Sequence, residues 1–283
     1  MAVVESLRWR AGSRELTFGR TLIMGVLNVT PDSFSDGGQF FDPEAAVARG
    51  LEMASQGADV IDVGGESTRP GAEPVSSDEE QRRVVPVIKR LSAELDQPVS
   101  VDTRKPDVAE AALDAGATIV NDISAARDPR MLEVARDSGA GLVLMHMRGE
   151  PATMQEFTDY ADVVAEVHDQ LAVRLEAARV AGIDPDGLVI DPGIGFAKTP
   201  EQNLILLRDI QNLFHLGRPV LVGPSRKSFI GKVLDLEVDE RLEGTAAAVA
   251  WLVAQGVHII RVHDVKEMAR VIRLVEAIKR GSA

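Results

Sequence analysis

The chain of 283 residues contains no cysteine. That excludes disulfides, thiolate metal sites and a cysteine nucleophile, and it fits a reducing compartment. Long hydrophobic runs are missing as well. The longest, Thr245 to Ala254, is about half of what a bilayer crossing needs. The stretch from Met1 to Arg10 has no uninterrupted apolar segment of the secretory kind. Positive charge is in short supply, and the formal net charge is −13. Nucleic acids and membrane surfaces want a basic face, so neither is expected as a partner. These absences together predict a soluble, cytoplasmic protein.

What is present supports a large core. Hydrophobic residues make up 45% of the chain, ordinary for a globular protein. No linker, low-complexity tract or charge block divides it, so residues 1–283 are expected to form a single domain. Val3 to Arg10 and Glu15 to Phe18, with a turn near Ala11-Gly12-Ser13, read as a β-hairpin within residues 1–20.

From there the pattern settles into strand–loop–helix units. Strands are predicted at Leu22–Leu27, Val60–Val63, Val99–Asp102, Ile119–Asn121, Leu142–Met145, Leu188–Asp191, Val220–Val222 and Ile259–Val262. Each is a short Val-, Ile- and Leu-rich run, as expected of strands buried on both faces. Apolar residues at three- and four-residue spacing predict helices at Glu44–Gln56, Asp78–Leu95, Asp107–Ala115, Arg130–Ser138, Tyr160–Ala181, Glu201–Leu213, Arg241–Gln255 and Lys266–Lys279. Asp42-Pro43 and Thr199-Pro200 are start signals, and Gly57, Gly116, Gly139, Gly182 and Gly256 follow helix ends. Eight such units match an α/β fold, a (β/α)₈ TIM barrel with the hairpin closing its bottom. An open doubly wound sheet is the competing architecture, and the regular count favours the barrel.

A barrel of this kind carries its chemistry at the carboxyl ends of the strands. There the sequence places Asn28, Gly64 to Gly71, Asp102, Asn121-Asp122, His146-Met147-Arg148, Asp191 to Phe196, Ser225 to Ser228 and Arg261 to Asp264. Asp102, Asn121 and Asp191 can converge on the axis, where two carboxylates and a carboxamide suit a flat heterocycle with an amidine-like N–H edge. A buried polar network without a ligand is the plainer alternative. Arg261 and His263 lie two apart and face the same way. With Asn28 on the neighbouring strand they predict a cationic corner for an anionic group. Lys227 stands out because lysine is scarce, and Ser228 follows where a helix begins. Gly193-Ile194-Gly195 is only half a dinucleotide fingerprint. His146, His258 and His263 lack metal-ligand spacing, and His258 reads as packing.

These stretches also carry a resemblance. Ile23–Gly38 and Val60–Ala72 resemble the two characteristic segments of the dihydropteroate synthase family. Leu144–Gln155, Asp191–Phe196, Ser225–Ser228 and Arg261–Asp264 resemble its later motifs, in order, from about residue 21 to the end. The resemblance implies a transferase that condenses 6-hydroxymethyl-7,8-dihydropterin pyrophosphate with p-aminobenzoate. By motif position it implies that Asp102, Asn121, Asp191 and Lys227 hold the pterin, with Met145 and Phe196 against its ring. Asn28, Arg69, Arg261 and His263 would hold the pyrophosphate, with Mg²⁺ at Asn28. Phe34, Thr68, Arg69, Pro70, Lys227 and Ser228 would frame the p-aminobenzoate slot, and Asp36 would stabilise a pterin cation. Catalysis would fall to Asp36, Lys227, Arg261 and His263. The family also implies homodimers. Ala197 and Pro224 depart from its pattern, which bears on loop stiffness. Corrinoid methyltransferases of the same barrel, and a pterin-binding paralogue without coupling activity, are the alternatives.

Overall fold

Apolar runs a few residues long become parallel strands here because helices cover one face and the barrel core the other. In the computed structural model, which describes residues 7–30, 42–68 and 71–282, a hairpin pairs β1 (Arg8–Ala11) with β2 (Arg14–Thr17). Eight barrel strands follow: β3 (Leu22–Asn28), β4 (Val60–Gly64), β5 (Val99–Asp102), β6 (Ile119–Asp122), β7 (Gly141–Met145), β8 (Leu188–Asp191), β9 (Leu221–Val222) and β10 (Ile259–Val262). Their order is β8-β7-β6-β5-β4-β3-β10-β9, all parallel. A bridge between Ile190 and Val220 joins the last strand to the first. The closed barrel is confirmed and the open sheet excluded.

The helices are α1 (Pro43–Ser55), α2 (Ser77–Glu94), α3 (Pro106–Asp114), α4 (Pro129–Ser138), α5 (Val163–Val180), α6 (Pro200–Arg208), α7 (Ser228–Leu234), α8 (Leu242–Gln255) and α9 (Val265–Arg280). The start signals act as expected. Asp42 accepts from the Glu44 N–H, and Thr199 forms a capping box with Gln202. The larger differences from the sequence reading are two helix boundaries and one short helix. The helix expected from Tyr160 begins at Val163, because the Asp162 side chain caps Val164 and Ala165. The one expected through Leu213 stops at Arg208 and continues as a 3-10 turn over Ile210–Leu216. The short helix α7 starts at Ser228 as expected, but its extent was not legible, since seven residues show too little periodicity. Among the described residues no helix is long and apolar enough to cross a membrane.

The hairpin plugs the barrel's amino-terminal end. Trp9 is fully buried among Met24, Val60, Ile119, Val143, Val189 and Leu221. Its indole N–H donates to the Gly187 carbonyl at 3.2 Å, which satisfies the ring's one polar atom. Gly141 is required beneath it, because a Cβ there would lie 2.8 Å from the indole nitrogen. With the bottom sealed, the axis opens only towards the carboxyl ends. His258 packs at this end edge-on between Phe18 and Phe214, each ring 5.3 Å away. Its expected packing role stands.

Candidate active site at the carboxyl end of the barrel

Strand register sets the site. The Cα pairings Asn28–Gly64, Gly64–Asp102 and Asp102–Asn121 put these residues on one rung across four strands. Parallel neighbours in register face the same way, so Asn28, Asp102 and Asn121 share a face. Asp62, two residues before Gly64, faces that way one layer deeper. Gly64 contributes no side chain to the rung, leaving a gap between the Asn28 and Asp102 side chains.

A buried network fills the axis. Arg261 on β10 donates from Nε to Asp62 Oδ2 and from Nη2 to Asp102 Oδ2, both at 2.6 Å. Asn121 Nδ2 donates to the same Asp62 oxygen at 2.9 Å. Burial opposes the Arg261 charge, but the two carboxylates outweigh it and hold its pKa above the ordinary value. Burial pushes Asp102 up to about 7, against the pull of Arg261. Asp191 is likewise pushed up to about 6 by burial, which the Gly193 N–H at 2.7 Å partly offsets. Among the described residues, Asp62 Oδ1 and Asp102 Oδ1 are buried with no hydrogen-bond partner. Leaving such acceptors unpaired is costly, and a donor supplied by a ligand removes the cost.

Asp62 is the site residue that sequence reasoning missed. Its signal was a carboxylate between Ile61 and Val63, inside an otherwise apolar strand, where a charge needs a partner. At the expected cationic corner, Arg261 is bonded to the axial carboxylates Asp62 and Asp102. Burial and the flanking Arg261 and Arg226 drive the His263 pKa down to about 3. Ser225 Oγ lies 3.0 Å from His263 Nδ1 and accepts from the His263 backbone N–H at 3.3 Å. This contact orients the His263 ring, with Nδ1 turned to Ser225 and Nε2 left for another partner.

On the opposite wall, Met145 pairs in register with Asp191. Met145, Met147, Met154 and Phe196 form an apolar cluster with Ile123 and Ala197. Lys227 Nζ lies 4.1 Å from the centroid of the Phe196 ring. Burial and the Arg261 charge lower the Lys227 pKa to about 8, while Asp191 and Asp102 pull it back. Ser228 is exposed at the first position of α7. Arg226, between Ser225 and Lys227, is tied to Asp264 by two bonds of 3.0 and 2.7 Å, which fixes the loop carrying Lys227.

The loop after β4 is braced at its root. Arg83 donates to the Gly65 carbonyl, and Glu66 accepts from Lys105 Nζ and the Val75 N–H. Thr68 is half-buried on this loop. Phe34, Asp36, Arg69 and Pro70 lie outside the described residues. Asn28 presents a half-buried carboxamide oxygen beside the Gly64 gap. One hard oxygen fits Mg²⁺, which keeps several waters and takes its remaining ligands from phosphates.

Comparison with known proteins agrees with this geometry. Residues 24–263 match the family model described as pterin binding enzyme. A dihydropteroate synthase of Synechocystis is 50% identical over 263 residues, covering 92% of this chain and 91% of the relative. Among solved structures, the Xanthomonas albilineans dihydropteroate synthase with 4-aminobenzoic acid superposes with a TM-score of 0.91 at 47% identity, covering 97% of this chain and 98% of that one. The same organism's enzyme with 7,8-dihydropteroate gives 0.87 at 44% identity, covering 96% and 98%. The chain belongs to the pterin binding enzyme family, among its dihydropteroate synthases.

Proposed function

We propose that the barrel mouth condenses 6-hydroxymethyl-7,8-dihydropterin pyrophosphate with p-aminobenzoate, yielding 7,8-dihydropteroate and pyrophosphate. The carrying observation is the unpartnered Asp102 Oδ1, buried on the axis within reach of a ligand on the Asn121 rung. A pterin offers N–H donors to Asp102 and Asp191 and ring acceptors to Asn121 and Lys227. Met145 and Phe196 supply apolar contact for the ring.

The leaving group lies at the Asn28 side. Arg261 and His263 stabilise the charge that develops on the departing oxygen. Asn28 would hold Mg²⁺, which would supply charge neutralisation for the pyrophosphate. Loss of pyrophosphate leaves a carbon cation conjugated with the pterin, for which Asp36 is the counter-charge. The arylamine is neutral at pH 7 and attacks through its nitrogen lone pair without a strong base, and the proton it sheds as the C–N bond forms passes to the departing pyrophosphate or to water. Phe34, Thr68, Arg69, Pro70, Lys227 and Ser228 frame its slot. The roles of Phe34, Asp36, Arg69 and Pro70 rest on motif position alone.

A homodimer and a cytoplasmic setting belong to the same reading. Leu234 on α7, Trp251 on α8, and Leu274 and Ile278 on α9 are large exposed apolar residues on successive helices, and they supply surface for a second copy. One assay decides the activity: pyrophosphate release from the pterin substrate, with and without p-aminobenzoate. Release that requires the arylamine is expected. Tight pterin binding without release would identify a binding paralogue and refute the coupling reaction.

A further inference from the structure

One buried charge near the site takes no part in the reaction described above. Lys198 ends the loop that follows β8 and is 3% exposed. Its Nζ lies 3.1 Å from the Gly193 carbonyl oxygen, 2.9 Å from that of Phe196 and 3.0 Å from His146 Nδ1. The Nε2 of His146 lies 3.0 Å from Gln170 Oε1 on α5. An amide oxygen only accepts, so His146 carries its proton on Nε2 and offers Nδ1 as an acceptor. Three acceptors around Nζ call for all three N–H groups of an ammonium. Burial lowers the Lys198 pKa to about 7 and Asp191 pulls it back up, so holding this charge inside is costly.

The loop it holds has an unusual path. Gly193, Gly195 and Ala197 all have positive φ, at 68°, 86° and 51°. A Cβ on Gly193 would fall 2.0 Å from the His146 carbonyl oxygen, and one on Gly195 would fall 2.9 Å from Lys227 Cδ. Gly193 donates to Asp191, and Phe196 lies under Lys227. This loop therefore touches Asp191 through the Gly193 N–H, carries Phe196 and backs the Lys227 stem at Gly195, and two of its carbonyls converge on a single ammonium.

We propose that Lys198 is a positioning residue for pterin recognition: its ammonium, received by His146 in the tautomer that Gln170 fixes, locks the loop that presents Asp191 and Phe196. The proposal deepens the reading of the pterin side of the mouth and rests on it. It sets Lys198 apart from Lys227, which touches the ligand.

The test compares wild type with Lys198→Met, which keeps the stem and removes the ammonium. Binding of pterin pyrophosphate is measured by calorimetry and both KM values by turnover. Lys198→Met is expected to weaken pterin pyrophosphate about tenfold in Kd and KM, with the p-aminobenzoate KM within about twofold and a cooperative melt retained. A merely structural lysine would leave the pterin Kd of folded protein unchanged, or weaken both substrates alike, and either result overturns the proposal. Gln170→Leu acts from behind the barrel wall and is expected to weaken pterin binding about threefold in the same direction. Should Lys198→Met fail to fold, Gln170→Leu decides, and an unchanged pterin Kd there refutes the proposal. Wild type that binds the pterin but releases no pyrophosphate would sink the coupling reaction, while the Kd comparison still judges Lys198.

Discussion

Asp102→Asn removes a charge that the fold holds against its own stability. The side chain is 10% exposed and accepts from Arg261. Its pKa rises from 3.8 to about 7, chiefly through burial. That difference is roughly three units, or about 4 kcal/mol at about 1.4 kcal/mol per unit. The native state thus keeps a proton that the unfolded chain has already lost. Stability therefore falls as pH climbs from the ordinary carboxyl range through the native pKa. Asparagine has no proton to lose, and it retains an acceptor for Arg261. Urea unfolding of wild type and Asp102→Asn at about pH 4 and about pH 8 isolates the effect, because other differences cancel between the two pH values. The variant is expected to gain stability relative to wild type on going to the higher pH. Arg261 and Asp62 share this charge, so about 2 kcal/mol is expected of the full 4. The same variant weakens pterin binding. A relative gain under about 1 kcal/mol, or a gain at the acid end instead, would refute the reasoning.

Two further outcomes follow from packing. Trp9→Ala empties the bottom plug and is expected to cost about 4 kcal/mol in denaturant unfolding, with turnover per folded molecule unchanged. A cost below about 1 kcal/mol would remove the hairpin from the core. Gly64→Ala places a methyl 3.5 Å from Asp102 Cβ and 3.8 Å from Asn28 Oδ1, ordinary contact distances that leave stability within about 1 kcal/mol. Because it fills the gap between those side chains, pterin pyrophosphate is expected to bind about tenfold more weakly. Unchanged calorimetric affinity would mean that the ligand does not enter there.

Barrel strands were legible because burial on both faces leaves an unbroken apolar run, and helix starts because a cap and a proline coincide at Asp42-Pro43 and Thr199-Pro200. Strand ends then pointed to Asp102, Asn121, Asp191 and Lys227 before any contact was seen. Partnership was not legible. Asp62 is one more aspartate in the sequence, and only the barrel's closure brings it to Arg261 from the other end of the chain. The surroundings of His263 were not legible either, since burial and then Arg261 and Arg226 packed around it lower its pKa. Lys198 and Gln170 act through one histidine between two elements, and no spacing in the sequence encodes that. The left-handed Ala197 fits the expectation that this departure from the family pattern bears on loop conformation.

The central claim is that the unsatisfied carboxylates on the barrel axis are the pterin site. A crystal structure of the protein with 6-hydroxymethyl-7,8-dihydropterin pyrophosphate tests it directly. The account predicts pterin N–H groups within hydrogen-bond distance of Asp102 Oδ1 and of Asp191, the ring against Met145 and Phe196, and the pyrophosphate towards Asn28 and His263. A pterin bound anywhere else, with Asp102 Oδ1 still unpartnered, would contradict it.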